Sequence, residues 1–279
     1  MPWTFAHPVA ILPFRRLCPA RLSFAALLIG SMIPDLGYYV QFATLARLAH
    51  TFRGSILVCL PTGLTLLVTL YALRRPLWFL LPQPHRAVLE PVITARFLLR
   101  PSSLVAVAAS IVIGAWTHIA WDSFTHKNGW VVKQVGFLHE PAFRFGTTVF
   151  PTYEILQHLS TLTGVASLIT VYCLWLRRST RPELLQYRRT EEVCRFVLLG
   201  ALAMIGSIIA ITAAGQEAAT IHGYLAMRVF LVRAVVYGTA AFIPLFILGS
   251  VLFYALRPEA TFLKNRVNSN RKHRHSFTP

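Results

Sequence analysis

Acidic residues are scarce in this chain: ten aspartates and glutamates stand against twenty-seven lysines and arginines, a formal net charge of +17. Charge of any sign is sparse as well, at 13% of residues, whereas 55% are hydrophobic. Soluble domains carry roughly 25% charged residues, so this balance excludes an ordinary water-soluble globule and indicates an integral membrane protein. Cysteine is thinly spread. Cys18, Cys59, Cys173 and Cys194 show no CxxC and no Cys–His spacing, so neither a thiolate metal site nor a disulfide framework is indicated. They read as small apolar residues facing lipid or core. No internal repeat is visible, and a transporter built from inverted repeats would show one. No cleavable signal peptide is expected, because Met1-Pro-Trp-Thr-Phe-Ala-His7 has no basic segment ahead of an apolar core.

Long apolar runs are what the chain does have. Ser55–Leu73, Ser103–Trp121, Leu159–Leu176, Val193–Ala214 and Leu231–Leu256 are each long enough to cross lipid. A further stretch from Leu22 to about Leu45 is interrupted by Pro34 and Asp35, and either spans or lies along the outer interface. The expected fold is therefore all-α, a polytopic transmembrane helical bundle of five or six spans. Basic connections (residues 74–100, 177–195 and 257–274) alternate with balanced ones (122–154 and 215–230), as the positive-inside rule requires. The charge thus reports topology, with anionic lipid contact second and no nucleic-acid partner expected. It places the C-terminus in the cytoplasm of a cell whose inner membrane holds the protein. The expected organisation is a membrane-embedded domain over residues 1–178, a cytoplasmic connection over 179–192, a transmembrane hairpin over 193–263, and a disordered basic tail over 264–279.

The ionisable residues of the outer boundary carry the chemical signal. In Trp116-Thr-His-Ile-Ala-Trp-Asp-Ser-Phe-Thr-His126, the residues His118, Asp122 and His126 follow one another at four-residue intervals. On a helix that spacing puts all three on one face. Imidazoles and a carboxylate together make a divalent-metal donor set, and intramembrane ionisable groups are costly enough to signal function. Asp35 in Ile33-Pro-Asp35, His50 ahead of the first clear span, and Glu154 with His158 at the start of another fall at the same boundary. The metal candidates are Asp35, His50, His118 and Asp122. His126, Glu154 and His158 are candidates for a second ion or for proton transfer. Plainer readings stand beside these: Asp35 as a helix cap, His126 as a residue of the turn before Asn128-Gly129, Glu154 as a partner of its helix dipole. With nitrogen and oxygen donors and no cysteine, zinc leads, ahead of manganese or iron. Trp116, Trp121, Trp130, Tyr38 and Tyr39 suit an interfacial belt around such a site. A lipid or lipid-linked phosphate is the natural substrate at that depth.

The segments Thr4-Phe-Ala-His-Pro8, Ile29-Gly-Ser-Met-Ile-Pro-Asp35, His50-Thr51, Gly114-Ala-Trp-Thr-His-Ile-Ala-Trp-Asp-Ser-Phe-Thr-His126 and Leu156-Gln-His-Leu-Ser160 resemble a family of bacterial multi-pass membrane proteins, domain of unknown function 4184. That resemblance implies no activity. The order His, Pro-Asp, His, then His-x-x-x-Asp is distantly similar to membrane-bound metal-dependent hydrolases and to the zinc-dependent phospholipase C and single-strand nuclease group. The similarity implies that Asp35, His50, His118 and Asp122 hold one metal, with His7, His126 and His158 near others. Here Glu154 precedes His158 rather than following it, a departure from the phospholipase pattern. The functional expectation is a membrane-embedded metal-dependent hydrolase of a phosphate or ester bond. The alternative is a structural or assembly protein with a metal or polar network between helices, and a transporter ranks last. The oligomeric state is left open.

Overall fold

The computed structural model describes residues 3–18, 21–94, 101–146, 148–181 and 188–256. Its helices, in chain order, are α1 (Phe24–Gly30), α2 (Leu36–Tyr39), α3 (Ala43–Ala49), α4 (Phe52–Gly54), α5 (Leu60–Leu80), α6 (His85–Thr94), α7 (Pro101–Thr125), α8 (Trp130–Gln134), α9 (Gly136–His139), α10 (Thr152–Ser179), α11 (Arg189–Ala218) and α12 (Gly223–Ala255). Five helices among the described residues are long and apolar enough to cross a membrane: Phe52–Leu80, Ser103–Gln134, Thr152–Ser179, Arg189–Ala218 and Gly223–Ala255. Each coincides with one of the five clear apolar runs of the sequence, the last ending at Ala255, one residue before Leu256. The chain is a multi-pass, all-α membrane protein.

The stretch from Leu22 to Leu45 is not a sixth continuous helix. Helix α1 begins at Ser23, whose side chain accepts a hydrogen bond from the Ala26 amide. It ends after seven residues, and a short 3-10 turn, Ile33–Asp35, follows with Pro34 in it. Proline lacks the amide that would continue the ladder, so the chain turns there. After α2 it turns again at Gln41, whose φ of 57 lies in the left-handed region. The result is a set of short helical pieces ending at His50.

The chain divides into two compact units, one of residues 1–71 with 96–179 and the other of residues 72–95 with 180–279. In the first, α1 packs along α7. Ala26, Ile29 and Ile33 are buried with Val107, Ile111 and Ala115, and with Val58, Cys59 and Leu67. The crossing is close because glycines face backbone on both sides. A Cβ at Gly30 would fall 2.2 Å from the Ile111 carbonyl oxygen, and one at Gly114 2.4 Å from that of Leu27. The N-terminal residues Thr4–Leu17 wind as a 3-10 helix with Pro8 and Pro13 inside it, packed against α10 and α7. A wide π-helical turn, Ser55–Cys59, lies between α4 and α5. Such turns occur often at functional sites. A two-stranded antiparallel hairpin, β1 (Pro141–Phe145) and β2 (Thr148–Pro151), is an addition to the all-helical expectation. The stacked rings of Phe143 and Phe150, 4.4 Å apart, hold it together.

In the second unit α11 and α12 pack along each other, joined by the short connection of residues 219–222 where the sequence placed one at Gly215–Phe230. Small residues let the two helices meet: Gly206 lies against Phe242, Gly238 against Ala210 and Gly249 against Leu202. Arg195 is buried there. It donates to the Phe79 carbonyl at 3.0 Å and to Glu192 at 2.9 Å, and it lies over the Phe79 and Phe253 rings. The basic tail, residues 264–279, lies outside the described residues.

Candidate metal centre

Four side chains from three parts of the first unit converge on one point. Asp35 comes from the 3-10 turn after α1, His50 from the C-terminal end of α3, and His118 and Asp122 from successive turns of α7. His50 Nε2 lies 3.3 Å from Asp35 Oδ1 and 3.4 Å from Asp122 Oδ2. His118 Nε2 lies 3.6 Å and 3.3 Å from the same two oxygens. All four donor atoms fall within 4.8 Å of one another. Zinc–nitrogen and zinc–oxygen bonds of about 2.0–2.1 Å in a tetrahedron give donor–donor edges of roughly 3.3 Å. The four nitrogen–oxygen spacings, 3.3–3.6 Å, lie near that figure, and the whole set lies within 4.8 Å.

The donors are also held in orientation. The Nδ1 of His50 lies 2.7 Å from the Ala46 carbonyl, and that of His118 lies 2.8 Å from the Ser31 carbonyl. A carbonyl oxygen only accepts, so each Nδ1 carries the proton and each Nε2 is turned toward the centre as a ligand atom. Asp35 is fixed in the same way: Tyr39 donates to Thr4 at 2.8 Å and Thr4 donates to Asp35 Oδ2 at 2.6 Å. That occupies one carboxylate oxygen and leaves Oδ1 for the centre. Asp35 Oδ1 and His118 Nε2 are buried and have no hydrogen-bond partner among the described residues. Such orphaned atoms are expensive unless an ion satisfies them, and two carboxylates with two imidazoles are the donor chemistry a divalent cation takes. The residues fit the ion the sequence implied.

The glycine contacts explain why the site forms where it does. Gly114 lies one turn before His118, and Gly30 directly precedes Ser31, so the close crossing of α1 and α7 brings the Ser31 carbonyl onto the His118 ring. The α-helical spacing of His118 and Asp122 then sets both on the face toward Asp35 and His50.

Around this core lies a second group. Asp122 Oδ1 faces His126 Nδ1 at 3.2 Å and His7 Nε2 at 3.6 Å. The His7 ring stacks on that of His118, with centroids 3.7 Å apart. Burial, together with the neighbouring His118, pushes the His7 pKa down to about 3, so this imidazole is neutral at pH 7. At His50 burial works against charge, but the Asp122 and Asp35 carboxylates outweigh it and raise the pKa to about 9. The side chains of His118, Asp35 and His7 are closed off from solvent, whereas those of His50 and His126 are 20% and 27% exposed. The centre therefore has a sealed floor and a partly open mouth. Glu154 and His158 form a pair of their own on α10, 3.9 Å apart, with Glu154 buried and the His158 side chain 60% exposed. Neither is among the four converging donors.

Sequence reasoning did not find Thr4 and Tyr39, nor the Ser31 and Ala46 carbonyls. A hydroxyl in an apolar context and a backbone oxygen leave no pattern in a sequence.

No curated protein and no solved structure matches the chain. One family does, over residues 1–251, and the chain belongs to it: the family described as Domain of unknown function (DUF4184).

Proposed function

We propose that this protein is a membrane-embedded, metal-dependent hydrolase acting on a phosphate or ester bond of an amphipathic substrate. The observation that carries the reading is the convergence of His50, His118, Asp35 and Asp122 at ligand spacing, on a mouth that opens beside membrane-crossing helices. These four residues hold a divalent ion, zinc first and manganese or iron next. When bound, the ion supplies a water of pKa about 7 or polarises a phosphoryl or carbonyl oxygen. His126 stands at the mouth against Asp122 and is placed to accept or return a proton there. The Glu154–His158 pair is a second acid–base group, one element away. His7 backs the centre from the N-terminal helix. Alternation of basic connections puts the C-terminus in the cytoplasm and the mouth on the outer side of a bacterial inner membrane. On this reading residues 1–178 carry the chemistry, and the hairpin after residue 193 anchors.

A specific observation favours a second reading. Four protein donors already make up the usual coordination number of zinc, and a filled site staples helices rather than catalysing. The first test is metal content of the detergent-purified protein beside a His118→Ala, Asp122→Ala double variant. One ion per chain, absent from the variant, is the expected result; no ion in either folded protein would sink both readings and leave a polar network between helices. Cobalt-substituted protein then separates the two. Added methyl phosphate changes the visible spectrum if a coordination position is open, and leaves it unchanged if the ion is a closed staple.

A further inference from the structure

Beside the metal centre lies a crevice of about 560 Å³, walled by the N-terminal 3-10 helix, α7 and α10, with Ala10, Trp121, Phe124 and Leu156 among its lining. That volume is within the range of about 300–1,000 Å³ typical of ligand sites. Its only side-chain hydroxyls, on Thr117, Thr125 and Ser160, are directed at their own helices. They donate to the Gly114, Trp121 and Gln157 carbonyls at 2.7, 3.3 and 3.0 Å. What faces the crevice is almost wholly methyl, methylene and aromatic carbon, which favours an apolar occupant.

The crevice lies next to the centre. Two of its three walls carry a residue of the site within a turn of a lining residue. Ala10 follows His7 by three residues, one turn of a 3-10 helix. Trp121 and Thr125 directly precede Asp122 and His126, so the crevice occupies the face of α7 adjoining the metal face. Thr125 Oγ1 itself lies 3.3 Å from His126 Nδ1. On α10, Leu156 and Ser160 are one turn apart and share the face that closes the crevice. Phe124 and Leu156 are exposed at the rim, where two membrane-crossing helices meet lipid. A molecule with its polar end at the ion has this apolar channel directly alongside.

We propose that the crevice seats the hydrocarbon chain of the substrate, which is therefore a lipid-like phosphate whose head lies at the metal centre and whose tail runs between α7 and α10. The inference rests on the hydrolase reading and narrows its substrate class.

The test uses full-length cobalt-loaded protein and alkyl phosphates from methyl to dodecyl, with dissociation constants read from the cobalt spectrum below the micellar concentration of each ligand. Ala120→Trp, at the lining of the crevice, obstructs it, and Ser160→Trp is a second obstruction should the first variant fail to retain one ion per chain. In the wild type, affinity rises with chain length, by up to about fourfold per methylene for complete burial. In the obstructed variants methyl phosphate binds as before and the gain with length is lost. A dodecyl phosphate with a diazirine at the chain end labels residues 117–125 or 156–160 in the wild type and not in the variants. An identical length dependence in wild type and variants, with labelling spread over other lipid-facing helices, overturns the crevice and assigns the tail to detergent. A wild type whose spectrum ignores methyl phosphate fails the hydrolase reading instead, and labelling of the crevice by the same probe would then make it a seat for structural lipid, which also overturns the substrate assignment.

Discussion

Asp122 joins the two groups of the site, with Oδ2 among the four converging donors and Oδ1 against His126 and His7. Its neighbour Asp35 depends on a hydroxyl that never touches the centre. Thr4 holds Asp35 Oδ2 at 2.6 Å and is itself held by Tyr39. Thr4→Val keeps the shape and removes the donor, leaving a buried carboxylate oxygen unsatisfied. Outer partners of this kind contribute about 10–100-fold to metal affinity. Competition with a calibrated chelator is expected to show a loss of that order in Thr4→Val with the ion still stoichiometric at excess metal. An unchanged affinity would mean Asp35 needs no support. Of these residues, His118 and Asp122 were legible in the sequence, because spacing along one helix is a local property. Thr4 was not, because its partner is thirty-one positions away.

At the scale of elements, the crossing of α1 and α7 decides the geometry of the centre. Gly114→Val places side-chain atoms where the Leu27 carbonyl and the Ser31 amide now lie. Overpacking of this kind costs about 1–3 kcal/mol or more, and it moves the Ser31 carbonyl away from His118. Lower thermal stability together with weakened metal binding is the expected pair of results, measured by thermal unfolding and elemental analysis in detergent. A loss of stability with metal binding intact would show that His118 does not need α1 to orient it. Another element tells a similar story about local rules. The run from Leu22 to Leu45 has the composition of a span, but Pro34 and the turn at Gln41 break it, and the break delivers Asp35 and His50 to one place. Interruption was visible in the sequence as Pro34-Asp35. The direction the broken pieces take was not, since that depends on what they pack against.

At the scale of the whole molecule, the candidate metal centre and the buried charges are where stability can be tested. Free metal at a thousand times its dissociation constant stabilises the folded state by about 4 kcal/mol. Chelation is therefore expected to lower the thermal midpoint of the wild type and to leave that of the His118→Ala, Asp122→Ala variant where it is. Equal shifts in both would assign the effect to another site. In the second unit Arg195 is 1% exposed and pairs with Glu192 at 2.9 Å. Arg195→Leu removes the closest cation of Glu192 and the donor to the Phe79 carbonyl, while Arg86 at 3.5 Å and the Gln83 amide at 3.0 Å still face the Glu192 carboxylate. Breaking a buried pair outright costs about 3–5 kcal/mol, so thermal unfolding is expected to show a smaller but clear loss, and a change under 1 kcal/mol would mean that Arg86 and Gln83 suffice for Glu192.

The amino-acid sequence by itself determined the class of the protein and the positions of its spans. Lipid supplies no hydrogen-bond partners, so each long apolar run must satisfy its backbone within a helix whatever its neighbours do. It also determined that His118 and Asp122 share a face, because helical periodicity is independent of tertiary context. Only the tertiary structure decided which ionisable residues form one centre. Asp35, His50 and the His118–Asp122 pair meet because α1 can approach α7 at two glycines, and because Pro34 and Gln41 turn the chain between them. It likewise set Glu154 and His158, candidates in the sequence for a second ion or for proton transfer, 3.9 Å from each other and outside the set of four converging donors. Residues at the same membrane depth can lie on any side of a bundle, and packing alone selects the side.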